Sequence, residues 1–147
     1  MRFLVPAILA VGITFAGCGA SEEGGDHADS AHAGWIEDDL DAAMALADET
    51  GKPLLIDLYA DWCPPCVTLS EQYFPSDELQ PLLSSFVLAR VDIDTPSGGN
   101  IANRYGVSSI PTVIIAEADG TEIQRIVGTT STAAGYAEAL QEILDSL

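Results

Sequence analysis

From Trp35 onward, apolar and polar positions fall into blocks with clear periods. In "DDLDAAMALADET", Leu40, Ala43, Met44 and Ala47 recur at helical spacing, with Asp38 or Asp39 placed to cap the start and Gly51 just past the end. "KPLLIDLYA", residues 52–60, is almost unbroken in its apolar character and predicts a strand buried on both faces. A helix through "CVTLSEQY" follows and closes at Pro75. "PSDELQPLLSS" predicts a short helix capped by Ser76 and broken or kinked at Pro81. "FVLARVDI" is a second buried strand, and "GGNIANRYG" reads as a loop and then a short helix ending at Gly106. "PTVIIAEADGTEIQRIV" gives two strands joined by a turn at Asp119 and Gly120, an antiparallel hairpin. Ser131 or Thr132 then starts a closing helix, "AAGYAEALQEILDSL". Strands separated by helices imply parallel pairing with right-handed crossovers, and the late hairpin adds an antiparallel edge. The expected fold is α/β: a central mixed sheet with helices on both faces. No internal repeat interrupts this order.

The first residues follow a different pattern. One positive charge at Arg2 precedes an apolar run from Phe3 to Phe15, and small residues follow. The run is short for a membrane-spanning helix, which needs about 20 residues, so an export signal is the better reading than a retained anchor. "FAGC", residues 15–18, resembles the lipobox of bacterial lipoproteins, in which the signal is cut before a cysteine that then carries lipid. Phe15 stands where leucine is usual. That resemblance implies a signal peptide over 1–17, lipid on Cys18 and attachment to a membrane, the alternative being a plain secretory signal. Residues 18–34 continue as a spacer rich in Gly, Ala, Ser and acid, without a large apolar side chain. Both histidines, His27 and His32, lie in it and read as solvated linker residues. The folded domain is expected over 35–147.

At 147 residues, 48% of them hydrophobic, the chain has material for one ordinary core. Its five Lys and Arg against 23 Asp and Glu give a formal charge of -18, which repels a nucleic-acid backbone. Nucleic acid is therefore excluded as a partner. With no obvious insertion, a compact monomer is the default.

Of the three cysteines, assigning Cys18 to lipid leaves a close pair, Cys63 and Cys66, in "DWCPPC". An exported setting is oxidising, so such a pair is either a disulfide or a dithiol kept reduced by an electron supply. The pair falls where a strand gives way to a helix, whose N-terminal field and unpaired N–H groups favour a thiolate. Cys63 sits where that field is strongest. Cys66, one turn later, is placed to attack a mixed disulfide formed at Cys63. Pro64 fits the first turn and removes one donor from beside the Cys63 sulfur. Zinc would need two more ligands, and no cysteine or histidine follows Cys66, so no metal is expected. A purely structural bridge over so small a loop would constrain the unfolded chain little.

"DLYADWCPPC" together with "GVSSIPTVII" resembles the thioredoxin family, which joins a W-C-x-x-C motif after a buried strand to an Ile-Pro-Thr before the next. The match runs over about residues 35 to 147. "GKPLLIDLYADWC" is most similar to the C-terminal periplasmic domain of transmembrane thiol:disulfide interchange reductases. The resemblance implies a thioredoxin fold, with Cys63 attacking and Cys66 resolving. It implies that Asp57, in its apolar strand, takes the resolving cysteine's proton, and such a buried carboxylate should be hard to ionise. Arg90 stands at the position of a family lysine near that acid. Pro111 would be a cis proline, although an X-Pro bond taken alone would be assigned trans. Trp62, Ile110, Pro64 and Pro65 would border the substrate surface, the competing reading of Trp62 being a core aromatic.

The function these readings imply is an exported, lipid-anchored thiol:disulfide oxidoreductase, a reductant rather than an oxidant. It would need no cofactor beyond its own redox-active disulfide. Its expected partners are exported protein thiols and disulfides, with a membrane dithiol protein as electron donor. The rivals are an oxidase that donates its disulfide and a non-redox or copper-delivery module on the same fold. Copper would call for an added soft or imidazole ligand, and no histidine follows His32.

Overall fold

The computed structural model describes residues 34–147. The expected signal peptide over 1–17, Cys18, His27 and His32 lie outside them. The elements in chain order are β1 (Trp35–Glu37), α1 (Leu40–Thr50), β2 (Leu54–Tyr59), α2 (Pro64–Thr68), a π-helical turn (Leu69–Tyr73), α3 (Gln80–Leu83), β3 (Val87–Asp92), α4 (Pro96–Arg104), β4 (Thr112–Ala116), β5 (Glu122–Val127) and α5 (Ala133–Leu144).

The five strands form one mixed sheet in the order β1-β3-β2-β4-β5. Both β1 and β2 pair with β3 in parallel, and β4 runs antiparallel to β2 and β5. Alternation along β2 divides the core. Leu54, Ile56 and Leu58 face α1 and α4, packing with Leu40, Ala43, Ala47 and Ala102. Leu55 faces the other layer, with Leu69, Phe74, Leu83, Tyr136 and Leu140. Each fully buried Leu or Ile contributes about 1.5–3 kcal/mol relative to exposure, which explains why the central strands are apolar on both faces. Among the described residues, no helix is long and apolar enough to cross a membrane.

Local chemistry sets the boundaries. Asp39 caps α1, accepting from Ala42 N–H at 2.9 Å, and Gly51 ends the helix with φ 68. The neighbouring Asp38, the alternative cap, instead adopts φ 53 and accepts from Asp92 N–H at 2.8 Å. Thr132, the second of two candidates, caps α5. The hairpin turns at Gly120, φ 81, as the Asp-Gly pair predicts.

Four segments depart from the sequence reading. β1 was not expected: it is three residues long and exists through pairing with β3, Trp35 opposite Leu88 and Glu37 opposite Arg90. The helix expected over 66–73 begins at Pro64 and passes after Thr68 into the π turn, where Phe74 N–H donates to Leu69 O at 2.9 Å. The helix expected near Ser76 is confined to α3, with Pro81 in its first turn rather than at a kink. α4 begins at Pro96, two residues before the stretch read as a loop and then a helix, because Thr95 caps it by accepting from Gly98 N–H at 3.0 Å. A Cβ on Gly98 would meet Asp92 O at 1.9 Å, so glycine lets this helix start pack on the end of β3.

Candidate active site

β2 ends at Tyr59, and the chain turns through Ala60 to Trp62 before α2. Cys63 is the residue capping α2, in an extended conformation, and Pro64 and Pro65 fill the first two helical positions. Cys66 is therefore the first residue of this turn with an N–H to offer. Cys63 and Cys66 are joined as a disulfide with their Cα atoms 5.3 Å apart. Both are almost fully buried, at 3% and 2% exposure.

With two prolines in the first turn, the number of backbone donors near the Cys63 sulfur is low. Pro64→Gly restores one. The Cys63 thiol pKa, followed by thiolate absorbance in the reduced full chain, is expected to fall in that variant; an unchanged value would remove the proline effect.

Beneath the motif lies a charged row across the sheet. Register places Glu37 opposite Arg90, and Arg90 opposite Asp57. Arg90 Nε donates to Asp57 Oδ2 at 3.3 Å, while Arg90 Nη1 is 3.8 Å from Glu37 Oε1. The guanidinium also lies over the Tyr59 ring, 3.8 Å from its centroid. Asp57 is 1% exposed, and burial raises its carboxyl from 3.8 to about 6. Arg90 pulls the other way without cancelling the effect, because desolvation of the carboxylate is the larger influence. Burial likewise pushes the Tyr59 phenol up to about 12, so the ring under Arg90 is neutral at ordinary pH. A cleft of about 130 Å³ runs beside this row, lined by Tyr59, Cys66, Ser70, Glu71 and Arg90 among others. It joins the inner cysteine to the arginine that holds Asp57. Its volume is well under the roughly 300 Å³ at the lower end for small-molecule pockets, which suits a partner that docks on the surface.

Trp62 stands at the rim, 66% exposed, so it is no core aromatic. Its indole Nε1–H donates to Asp94 Oδ2 at 2.7 Å. Ile110 and Pro111 are joined by a cis peptide bond, with Ile110 half-buried and Pro111 buried. Thr112 pairs with Leu58, so Pro111 lies at the end of the sheet from which the cysteine loop leaves. Pro111 O accepts from Gly128 N–H at 2.8 Å. Pro64 and Pro65 are exposed beside the disulfide.

Three residues around the site escaped the sequence reading. Asp94 was one acid among many in an acidic chain. Tyr73 donates its hydroxyl to Thr130 O at 2.8 Å and so ties the π turn to the loop before α5. Tyr136 looked like an ordinary apolar-face residue of the closing helix. The one signal for the two tyrosines was a hydroxyl-bearing ring at a position where leucine would have satisfied the pattern.

Comparisons with known proteins agree with this geometry. A family described as Thioredoxin-like matches residues 35–118. The thiol:disulfide interchange protein DsbD of Cronobacter sakazakii is 41% identical over 88 residues, covering 58% of this chain and 15% of that protein. The chain thus spans under a fifth of the length of that relative. Among solved structures, a thioredoxin from Thermus thermophilus superposes with a TM-score of 0.65 at 28% identity, covering 75% of this chain and 85% of that one. The oxidised C-terminal domain of Neisseria meningitidis DsbD gives 0.56 at 27% identity, covering 70% and 91%. With its cysteine pair, cis proline and sheet order on a chain that the family matches over more than half its length, this protein belongs to the thioredoxin-like family.

Proposed function

We propose that this chain is a thiol:disulfide oxidoreductase of the cell envelope, held to a membrane by lipid on Cys18, that reduces protein disulfides. The observation that carries this reading is the Cys63–Cys66 disulfide closed across the first turn of α2, with a cleft that reaches from Cys66 to Arg90, the partner of the buried Asp57. The interchange activity in the name of the Cronobacter relative supports it.

In the reduced protein, the Cys63 thiolate attacks one sulfur of a substrate disulfide. The substrate S–S bond breaks, its other sulfur leaves as a thiolate and takes up a proton, and a Cys63–substrate disulfide forms. Cys66 then loses its proton to Asp57, the buried partner of the cleft residue Arg90, and attacks the Cys63 sulfur. The Cys63–substrate bond breaks, the second substrate thiol is released, and the Cys63–Cys66 bond closes. Two electrons have passed to the substrate and two protons have followed them. A membrane dithiol protein returns the pair to its reduced form. The partner chain lies against Trp62, Pro64, Pro65 and Ile110, with main-chain pairing beside Pro111.

The direct test is turnover of a disulfide-bonded protein by the full chain, with dithiothreitol as electron source. Replacing both Cys63 and Cys66 by serine should abolish it. Turnover that survives in this double variant would contradict the redox reading.

A further inference from the structure

Among the described residues, two buried polar side-chain atoms have no hydrogen-bond partner: Asp57 Oδ1 and the Tyr136 hydroxyl. Their side chains are shut away from solvent, at 1% and 0% exposure. Two such orphans in one domain call for an explanation, since buried polar groups are almost always paired.

The two groups share one layer of the fold. Asp57 lies on the same face of β2 as Leu55, which packs with Tyr136 and Leu140 of α5. Val113, the cross-strand partner of Asp57 on β4, belongs to the same cluster. The Asp57 charge is one of the influences that keep the Tyr136 phenol neutral, after burial itself, so the two lie within electrostatic reach. Their needs are complementary, because a phenol offers one O–H donor and a carboxylate only accepts. The surroundings leave no evident competitor. Asp57 Oδ2 is taken by Arg90 of β3. Glu37 of β1 faces Arg90. Tyr73, whose ring is 6.1 Å from that of Tyr136, has given its hydroxyl to Thr130 O. From α2 and the π turn, Cys66 of the reduced protein and Glu71 line the cleft beside Arg90. A phenylalanine would fill the Tyr136 site without burying a hydroxyl.

We propose that Tyr136 is a positioning residue for the resolving step, its hydroxyl donating through one enclosed water to Asp57 Oδ1 and fixing the carboxyl between Arg90 and α5. This rests on the reading of Asp57 as the acceptor of the Cys66 proton. The carboxyl is then held from two sides: Arg90 orients one oxygen, and Tyr136 orients the other toward a defined proton path.

The test is a carboxyl-carbon NMR titration of Asp57 in the oxidised full chain, wild type against Tyr136→Phe. Losing a donor to the ionised form should raise the Asp57 midpoint by about one pH unit. The pH at which resolution by Cys66 is half-maximal should move with it. An unmoved or lowered midpoint overturns the proposal, as does a Tyr136→Phe protein that is more stable with its midpoint unchanged, the behaviour of an unpaired hydroxyl. Should the variant fail to fold, the wild-type Tyr136 Cζ resonance serves instead. It should step at the Asp57 midpoint and lose that step in Asp57→Asn, and a flat trace in wild type overturns the coupling. The titration uses no substrate. Failure of thiol exchange would appear as lost turnover with the midpoint shift intact, and failure of the coupling as an unmoved midpoint with turnover intact.

Discussion

Cys66→Ser should accumulate a mixed disulfide between Cys63 and its protein substrate, whereas Cys63→Ser should form none and lose turnover by at least about 10³-fold. Exposure does not distinguish the two sulfurs, at 3% and 2%. Their places on the helix do. Cys63 caps α2 from the loop side, where the helix field and the exposed prolines meet the surface. Cys66 is inside the turn and lines the cleft toward Arg90. An attacking group belongs at the first place and a proton-coupled resolving group at the second. With serine at 66, the substrate sulfur on Cys63 has no internal thiol to displace it. The adduct should be visible as a band on non-reducing gels that disappears with dithiothreitol. Trapping at position 66 in Cys63→Ser, with none at 63, would reverse the assigned roles.

Asp57→Asn should make the protein more stable at pH 7 by about 1–3 kcal/mol while slowing resolution by about 10²-fold. The sign follows from the raised carboxyl. Between 3.8 and about 6 the unfolded chain has released the Asp57 proton and the folded chain has kept it. Stability therefore falls as pH rises through this window and stays lower above it. At about 1.4 kcal/mol per pH unit the full effect is about 3 kcal/mol. That figure already includes the pull of Arg90, which in the variant keeps Glu37 at 3.8 Å and the Tyr59 ring as partners, so it is the upper bound on the gain from asparagine. Urea unfolding from pH 4 to pH 8 would read the effect: the wild-type midpoint should decline across the window and that of Asp57→Asn should not. The rate deficit should shrink as pH approaches the thiol's own range near 8.5, where Cys66 needs no acceptor. An Asp57→Asn protein less stable than wild type at pH 7 would contradict this use of the carboxyl.

The central strands were legible because burial on both faces writes itself as unbroken apolar runs, and the hairpin because Asp119 and Gly120 punctuate two such runs. The cysteine pair was legible for the same reason: it follows the first run directly. Asp57 stood out as a charge inside an apolar strand and Arg90 through the resemblance to a family lysine, and register brings them side by side. What was hidden depends on tertiary contact. β1 has too few residues to show a period and is a strand only because the edge of β3 needs a partner. The π turn depends on an i+5 backbone bond and on the hold of Tyr73 on Thr130, neither of which a window of residues encodes. The start of α4 was masked by two glycines, yet Gly98 is there for contact with a carbonyl that only the fold brings near. Asp94 could be recognised only once its carboxylate was seen against the Trp62 indole.

Direction of electron flow is set by the relative stability of the dithiol and the disulfide, so the most direct measurement is the reduction potential of the Cys63–Cys66 pair in the full chain, by equilibration with thiol redox buffers. A reductase fed by a membrane dithiol should give a value near about -270 mV or lower. A value near roughly -120 mV would make the protein a disulfide donor and contradict the proposed direction.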